Sequence, residues 1–303
     1  VTASPAGSRA ASGRILLKEK DARRFARTGM SEVSDRERKA KRFAKAVVLE
    51  RFSGPTEWVH WSFDESAGTV ARAEVVGLGA GIFDAHFKAM ANGISLRTEG
   101  RFKNALKLNG DAFAKVSFPG ISSNTARTVA FWLKIPLGSA LSDGEMALAW
   151  ARHGKRGGPH PVLVGWNSNA AHGTLGTLRT EIGKSFVTGS TQLRDGKWHH
   201  IAITFVPGER PGEGVHVSQY VDGRLEGITS TRHKDRRPGD AAIEEADEIV
   251  TESLWLGCGT KSHLSKFRGE LDELYIVQRA LMPTEILQLM NENRMTERTV
   301  VEN

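Results

Sequence analysis

The chain has 303 residues and a formal net charge of +7, with 39% hydrophobic and 25% charged residues, a composition typical of soluble globular proteins. No apolar run approaches the roughly 20 residues that a membrane-spanning helix needs, so the sequence predicts no transmembrane segment. A single cysteine, Cys258, excludes an intrachain disulfide and a cysteine-based zinc cluster. Because the sequence starts with Val1 rather than methionine, we expect a processed N-terminus, which leaves room upstream for a signal peptide or membrane anchor.

The excess positive charge is confined to the N-terminal segment. Residues 1–52 contain 14 Lys and Arg against 6 Asp and Glu, whereas residues 53–303 contain 28 against 29. The stretch "RILLKEKDARRFARTG" is rich in helix-forming residues and ends at Gly29, and "SEVSDRERKAKRFAKAVVLERF" offers Ser31 or Ser34 as an N-cap. The sequence therefore predicts a basic helical arm over residues 1–52.

Two roles for this arm are consistent with its charge. It is either a solvated helical linker or a segment that docks on an acidic protein or an anionic membrane surface. No interleaved aromatic residues or recognised nucleic-acid-binding motif accompany the charge, which argues against nucleic acid as the partner.

Beyond residue 53 the pattern changes to short β-type runs separated by glycine-rich turns. Examples of these runs are "WVHWSFDE", "TVAFWLKI", "PVLVGWN" and "FRGELDELYIV". Many short strands without alternating long helices predict an all-β, antiparallel two-sheet sandwich. Near the end, "MPTEILQLMNEN" predicts a short helix with Pro283 in its first turn and Leu287 and Met290 on one side, followed by a tail at 294–303.

Two adjacent histidines in "DGKWHHIAITF" raise the question of a catalytic or metal site. Period-two geometry sends His200 to one face of the predicted strand and His199 to the other, together with Ile201, Ile203 and Phe205. Because neighbouring strand residues point in opposite directions, the pair cannot chelate one ion. We expect the histidine on the apolar face to be a buried neutral imidazole with one hydrogen-bond partner.

Several of these segments, taken in order, resemble the laminin G-like jelly rolls of the concanavalin A-like lectin/glucanase superfamily, in their bacterial form. The segments are "WSFDESAG", "NALKLNGDAFAKVSF", "RTVAFWLKI", "DGKWHHIAITF", "LWLGCG" and "FRGELDELYIVQRALMPTEI". The resemblance implies a jelly-roll domain at 57–293 whose first and last strands pair. It also implies an extracytoplasmic binding module more often than an enzyme.

Some members of this family hold calcium, an ion that takes six to eight oxygen ligands. The resemblance makes Asp64 and Asp272, on the two terminal strands, and Asp111, in a loop, the candidate ligands. The stretch "TVARAEVVG" lacks the Asp and Asn that relatives often supply there, which puts the calcium site in doubt. The alternative is that these acids cap turns and pair with basic neighbours.

The superfamily also includes glucanases, so a glycoside hydrolase is a second alternative. Glu270 and Asp272 occupy alternate positions of "GELDEL", which would suit a pair of catalytic carboxylates. Leu274 stands where the glucanase pattern has a third acid, which argues against this activity.

Two loops are candidates for ligand binding. The segment 150–173 contains Trp166, which would stack on a sugar or anchor a protein partner if exposed, and would be a core residue if buried. Its polar and charged candidates are Arg152, His153, His160, Asn167 and Asn169. His153, His160 and His172 have no nearby acid, so zinc binding is disfavoured. The second loop, 230–248, is long, and long loops are often functional.

We therefore expect a non-catalytic binding module that recognises carbohydrate or a protein partner outside the cytoplasm. The first alternative is a structural subunit that docks into a larger complex through the basic arm and the long loops.

Overall fold

The computed structural model describes residues 57–77, 83–89, 96–110, 112–116, 118, 126–140, 146–151, 162–182, 185–208, 215–227, 229–230, 241–243, 253–257 and 267–295. The chain divides into two compact units, Val1–Gly54 and Pro55–Asn303, and all the described residues belong to the second. The predicted arm at 1–52 lies outside them, as does most of the predicted tail. The predicted domain boundaries stay predictions.

Nineteen strands and one α-helix form the regular structure of the described residues. In chain order the strands are β1 (Trp58–Trp61), β2 (Val70–Ala71), β3 (Ala73–Val76), β4 (Ala85–Ala89), β5 (Arg97–Glu99), β6 (Asn104–Asn109), β7 (Ala112–Val116), β8 (Arg127–Lys134), β9 (Met146–Ala151), β10 (Val162–Trp166), β11 (Thr177–Ile182), β12 (Ser185–Gln192), β13 (Trp198–Pro207), β14 (Val215–Val221), β15 (Arg224–Leu225), β16 (Thr229–Ser230), β17 (Ala241–Ile243), β18 (Ser253–Leu256) and β19 (Arg268–Val277). Helix α1 spans Pro283–Glu292, and a 3₁₀ turn spans Ala170–His172.

The strands form two antiparallel sheets. Sheet A has the order β15-β14-β13-β8-β19-β1-β3, with β5, β6 and β17 at its margins, and sheet B has the order β16-β12-β11-β10-β9-β18-β7-β4-β2. The predicted all-β sandwich is confirmed. The first and last strands pair as expected, since Trp61 of β1 lies opposite Leu274 of β19.

Alternating side chains of both sheets build one core between them. On β8, Val129, Phe131 and Leu133 are buried in this core, and Thr128, Ala130 and Trp132 point to the outer face of sheet A. On the facing sheet, Val164 and Trp166 of β10 belong to the same core.

Helix α1 covers part of the outer face of sheet A. Ile286 and Leu289 are buried against Ala130, Ala202 and Tyr275 on that face. The helix begins at the predicted proline, but its most buried side chains differ from the predicted Leu287 and Met290; the Leu287 side chain is 40% exposed. In the described part of the chain, no helix combines the length and apolarity needed to cross a membrane.

Candidate functional site

The predicted ligand-binding tryptophan belongs to the core. Trp166 has no exposed surface, and its ring centroid lies 5.9 Å from that of Phe267 inside the sandwich. On β10 it shares a face with Val162 and Val164, so the strand period directs it inward. The ring cannot stack on a ligand, and the alternative that Trp166 is a core residue is the correct one.

The neighbouring asparagines shape the loop that follows β10. Asn167 is fully buried, and its Nδ2 donates to the carbonyl oxygens of Asn169, Gly173 and Thr174, each at 3.0 Å. Asn169 is exposed, and its Oδ1 accepts the N–H of Ala171 at 2.9 Å, which caps the 3₁₀ turn. Asn167 is therefore a structural residue rather than a ligand contact.

The structure describes only one of the charged or histidine candidates of the same segment. Arg152, His153 and His160 lie outside the described residues. His172 is within them, with Nδ1 3.0 Å from a guanidinium nitrogen of Arg179 and its ring 4.3 Å from that of Phe186. This placement leaves His172 unsuited to a zinc site.

The two predicted acids of the terminal strands do meet, at the turn between β5 and β6. Asp272 Oδ2 accepts the N–H of Phe102 at 3.0 Å, and Asp64 Oδ1 accepts the N–H of Asn104 at 3.3 Å. Asp64 Oδ2 also lies 2.8 Å from Nζ of Lys103. Asp64, three residues beyond the end of β1, and Asp272 on β19 thus each hold this turn through a carboxylate.

These residues do not fit a calcium ion. An ammonium group occupies one carboxylate oxygen of Asp64, and backbone N–H groups occupy the others that have partners. Asp111 lies outside the described residues. Among the side chains that are described, no group of three or more acids, histidines or cysteines is arranged to hold a metal.

The predicted glycosidase pair is also engaged in other contacts. Glu270 Oε2 forms a 2.8 Å ion pair with Lys134, and Asp272 has no exposed surface. Leu274 is buried in the core rather than aligned with these acids, because a β-bulge shifts the register of β19 between Asp272 and Tyr275.

A polar cleft lies beside the terminal strands and was not predicted. Its volume is about 620 Å³, and it is bounded by β1, the β2–β3 segment, the bulge of β19, the β5–β6 turn and the end of α1. The lining residues are His60, Ser62, Asp64, Arg72, Ala73, Glu74, Phe102, Lys103, Glu273, Glu292 and Asn293. We call this the terminal-strand cleft.

A buried histidine–glutamate pair forms one wall of the cleft. His60 Nε2 lies 2.5 Å from Oε2 of Glu273, and Nδ1 lies 3.7 Å from Oε2 of Glu74. The His60 ring stacks on Tyr275, with centroids 3.9 Å apart and planes 8° from parallel. Because Glu273 is 3% exposed and Glu74 is open to solvent, one side of the imidazole is fixed and the other is accessible.

Unusual backbone conformations concentrate around the cleft. The described residues include five non-glycine residues with positive φ, and four of them lie in or next to its wall: Phe63 (58°), Lys103 (40°), Glu273 (51°) and Asn293 (50°). Such conformations cost of order 1–3 kcal/mol each and persist where the surrounding structure holds them, often at ligand-binding sites. The surrounding contacts thus hold the cleft wall in a defined shape.

The acids near the cleft have distinct electrostatic environments. Burial raises the pKa of Asp272 to about 8, and the nearby charges of Glu273 and Asp64 raise it further, against the opposing N–H groups of Phe102 and Arg101. Asp272 is therefore mostly protonated at neutral pH. The hydrogen bond to Asp64 raises the pKa of Lys103, which keeps this exposed ammonium charged.

Sequence reasoning missed most of this site. His60 and Glu273 were not singled out, although the period of two in "WVHW" places His60 on the same face as Trp58 and opposite to Val59 and Trp61. Glu273 reaches that face only because of the bulge.

The sequence of residues 108–287 matches the model of a laminin G family described as the concanavalin A-like lectin/glucanases superfamily. The chain belongs to this superfamily. The match confirms the predicted family and agrees with the two-sheet architecture of the laminin G-like domain. No curated protein sequence matches it.

Three solved structures illustrate what the laminin G-like domain is similar to. Domain 4 of an extracellular family 43 arabinanase from Geobacillus stearothermophilus, solved with arabinotriose, has a TM-score of 0.53 and 18% identity, and the match covers 78% of this chain and 99% of that one. The binding domain of Paraclostridial Mosquitocidal Protein 1 has a TM-score of 0.48 and 16% identity, covering 79% of this chain and 52% of that one. A Trypanosoma rangeli sialidase has a TM-score of 0.49 and 19% identity, covering 78% and 33%. At 18% identity, the similarity to the arabinanase domain shows a shared fold alone.

Proposed function

We propose that this laminin G-like domain is a non-catalytic carbohydrate-binding module and that the terminal-strand cleft is its binding site. The observation that carries the proposal is the set of polar groups that converge on a preformed cleft of about 620 Å³ with fixed walls. Small-molecule sites are typically concave, largely preformed and equipped with a few well-placed polar groups.

The polar groups of the cleft match the chemistry of a sugar. Hydroxyl groups both donate and accept hydrogen bonds. The carboxylates of Asp64 and Glu74 can accept, the side chains of Arg72 and Lys103 can donate, and Phe102 adds apolar surface. Asp64 is already paired with Lys103, so ligand binding would require little reorganisation of these groups.

The placement of the predicted catalytic pair argues against hydrolysis by Glu270 and Asp272, neither of which lines the cleft. Retaining and inverting glycosidases need two carboxyl groups that both reach the scissile bond. Here Glu270 is paired with Lys134 and Asp272 is buried beneath the β5–β6 turn, which supports a non-catalytic role. An extracytoplasmic setting is part of the proposal, supported by the similar domain of an extracellular arabinanase.

The two alternatives remain hypotheses with distinct signatures. A docking subunit would bind a protein partner through the arm and the loops at 150–173 and 230–248, large parts of which lie outside the described residues. A glycoside hydrolase would release reducing sugar, and Glu270→Gln would abolish the release.

The test is titration calorimetry with a panel of neutral oligosaccharides, starting with arabinotriose. Glu74→Ala and Arg72→Ala are the informative variants because both side chains are exposed at the cleft and neither supports the core. We expect each to weaken the best ligand about tenfold while changing the free energy of unfolding by less than about 0.5 kcal/mol.

Lys88→Ala is the matched control, since Lys88 is exposed on the outer face of sheet B. If both cleft variants bind the ligand with wild-type affinity, the binding site is not the terminal-strand cleft. Failure of every saccharide tested, neutral and acidic alike, to bind would overturn the proposed function.

A further inference from the structure

A basic row crosses the outer face of sheet A next to the cleft. Lys134 on β8 lies opposite Trp198 on β13 and Glu270 on β19, and Glu270 lies opposite Lys107 on β6. Residues directly opposite in neighbouring strands share a face and are about 4.8 Å apart across each step. The four side chains therefore form one line about 14 Å long.

A cation from the β5–β6 turn lies over Trp132, in the row next to this line. The guanidinium carbon of Arg101 lies 4.8 Å from the ring centroid of Trp132 and 5.4 Å from that of Phe102. On the same face, Nζ of Lys134 lies 5.6 Å from the Trp198 ring. These contacts fix the direction of the two cations. We call Arg101, Lys107, Lys134 and Trp198 the basic strip.

Within its own row of the sheet, the basic strip has more cationic than acidic side chains. Glu270 is the one acid among the described residues of the row, and it pairs with Lys134. Arg101 and Lys107 are exposed and form no ion pair in the described part of the chain. Asp272, in the adjacent row, is buried and mostly protonated at neutral pH, so it adds little negative charge.

The strip is continuous with the cleft and is not covered by the helix. Phe102 lines the cleft, and its ring centroid lies 6.2 Å from that of Trp132 on the strip side. Helix α1 packs on a different part of the face, around Ala130 and Ala202. A chain-like ligand that enters the cleft can therefore continue across Phe102 onto the cations.

We propose that the ligand is an acidic polysaccharide whose carboxylate or sulfate groups bind the basic strip while neighbouring sugar units occupy the cleft. This inference rests on the proposed function. Guanidinium and ammonium groups form strong charge-assisted hydrogen bonds with such anions. Single-stranded nucleic acid is disfavoured because it binds by stacking bases on open aromatic faces, whereas Arg101 lies over Trp132, which is only 6% exposed.

The test compares polymers that share a backbone and differ in charge. Polygalacturonate is titrated beside its methyl ester, and dextran sulfate beside dextran, so that the carboxylate and sulfate sources are distinguished. We expect at least one acidic polymer to bind about tenfold more tightly than its neutral partner at about 20 mM salt. The advantage should largely disappear at about 300 mM salt, because salt screens exposed charges.

The variant Lys107→Glu reverses a charge of the strip without touching the cleft, and Lys88→Glu makes the same change on the outer face of sheet B. Lys107→Glu should weaken the affinity for the acidic polymer about fivefold or more and leave the affinity for neutral oligosaccharides unchanged. The control variant Lys88→Glu should bind both kinds of ligand with wild-type affinity. Equal binding of charged and neutral polymers would overturn the inference and leave the proposed function intact. Equal or tighter binding of single-stranded DNA would also overturn it. Failure of neutral and acidic sugars alike would refute the proposed function itself.

Discussion

His199 lies between two carboxylates, and this arrangement predicts how stability depends on pH. Nδ1 lies 2.8 Å from Oδ2 of Asp222, and Nε2 lies 3.1 Å from Oδ1 of Asp195. The histidine side chain is 10% exposed, whereas those of Asp195 and Asp222 are 32% and 45% exposed. Both ring nitrogens face an acid, so the geometry favours the imidazolium.

The shifts in pKa set the pH window. The hydrogen bond to Asp222 raises the pKa of His199 above 6.5, against burial and with further help from Asp195. A raised folded-state pKa contributes stability that is fully present below about pH 6.5 and is lost as pH rises through the folded value. Burial would raise the pKa of Asp222, but bonds from His199 and the His200 N–H lower it overall, so the carboxylate contribution is lost only below about pH 3.8.

The perturbation is His199→Gln, measured by urea unfolding at about pH 5 and about pH 9. Hydrogen bonds to charged groups contribute ~1.5–3 kcal/mol, but the exposure of both carboxylates screens them, which leaves about 1 kcal/mol for the charge-dependent part. The variant should therefore lose about 1 kcal/mol more at pH 5 than at pH 9 relative to the parent. His86→Gln, an exposed histidine on sheet B, should show no such difference. An equal loss at both pH values would refute the reasoning.

Two further substitutions test the core and the cleft wall. Trp166→Ala should lower the free energy of unfolding by about 3–5 kcal/mol, since it empties a fully buried site. Chemical denaturation measures this change, and a much smaller decrease in the free energy of unfolding would contradict the core placement. Glu273→Gly should be more stable than Glu273→Ala by about 1 kcal/mol, because glycine adopts φ near +51° without strain. Both variants lose the bond to His60, so the comparison isolates the backbone, and a more stable alanine variant would contradict the strained conformation.

Most of the fold prediction rested on the period-two alternation of side chains. The histidine pair shows what this alternation predicts and what it does not. The alternation correctly placed both residues on one strand and on opposite faces. The assignment of the neutral imidazole was wrong. His200, on the outer face beside Trp132, is the histidine whose pKa burial lowers to about 4, while His199 stands at the strand end within reach of two turn carboxylates. The positions of Asp195 and Asp222 depend on turns that strand periodicity does not describe.

The cleft was missed for the same reason, because strand periodicity does not describe bulges either. One feature of the sequence nevertheless indicates the bulge. Strict alternation along "GELDELYIV" would place Leu274 on the same face as Glu270 and Asp272. The free energy gained by burying Leu274 outweighs the cost of interrupting the strand register. The spacing of Leu271, Leu274 and Ile276 requires one extra residue between the first two if all three are to reach the core, and that residue is Glu273. The bulge that lets Leu274 reach the core also forms the polar wall of the cleft. It brings Tyr275 beneath His60 and directs Glu273 to the same face. An apolar residue three positions after another, within a strand that otherwise alternates, was therefore the available sign of this cleft.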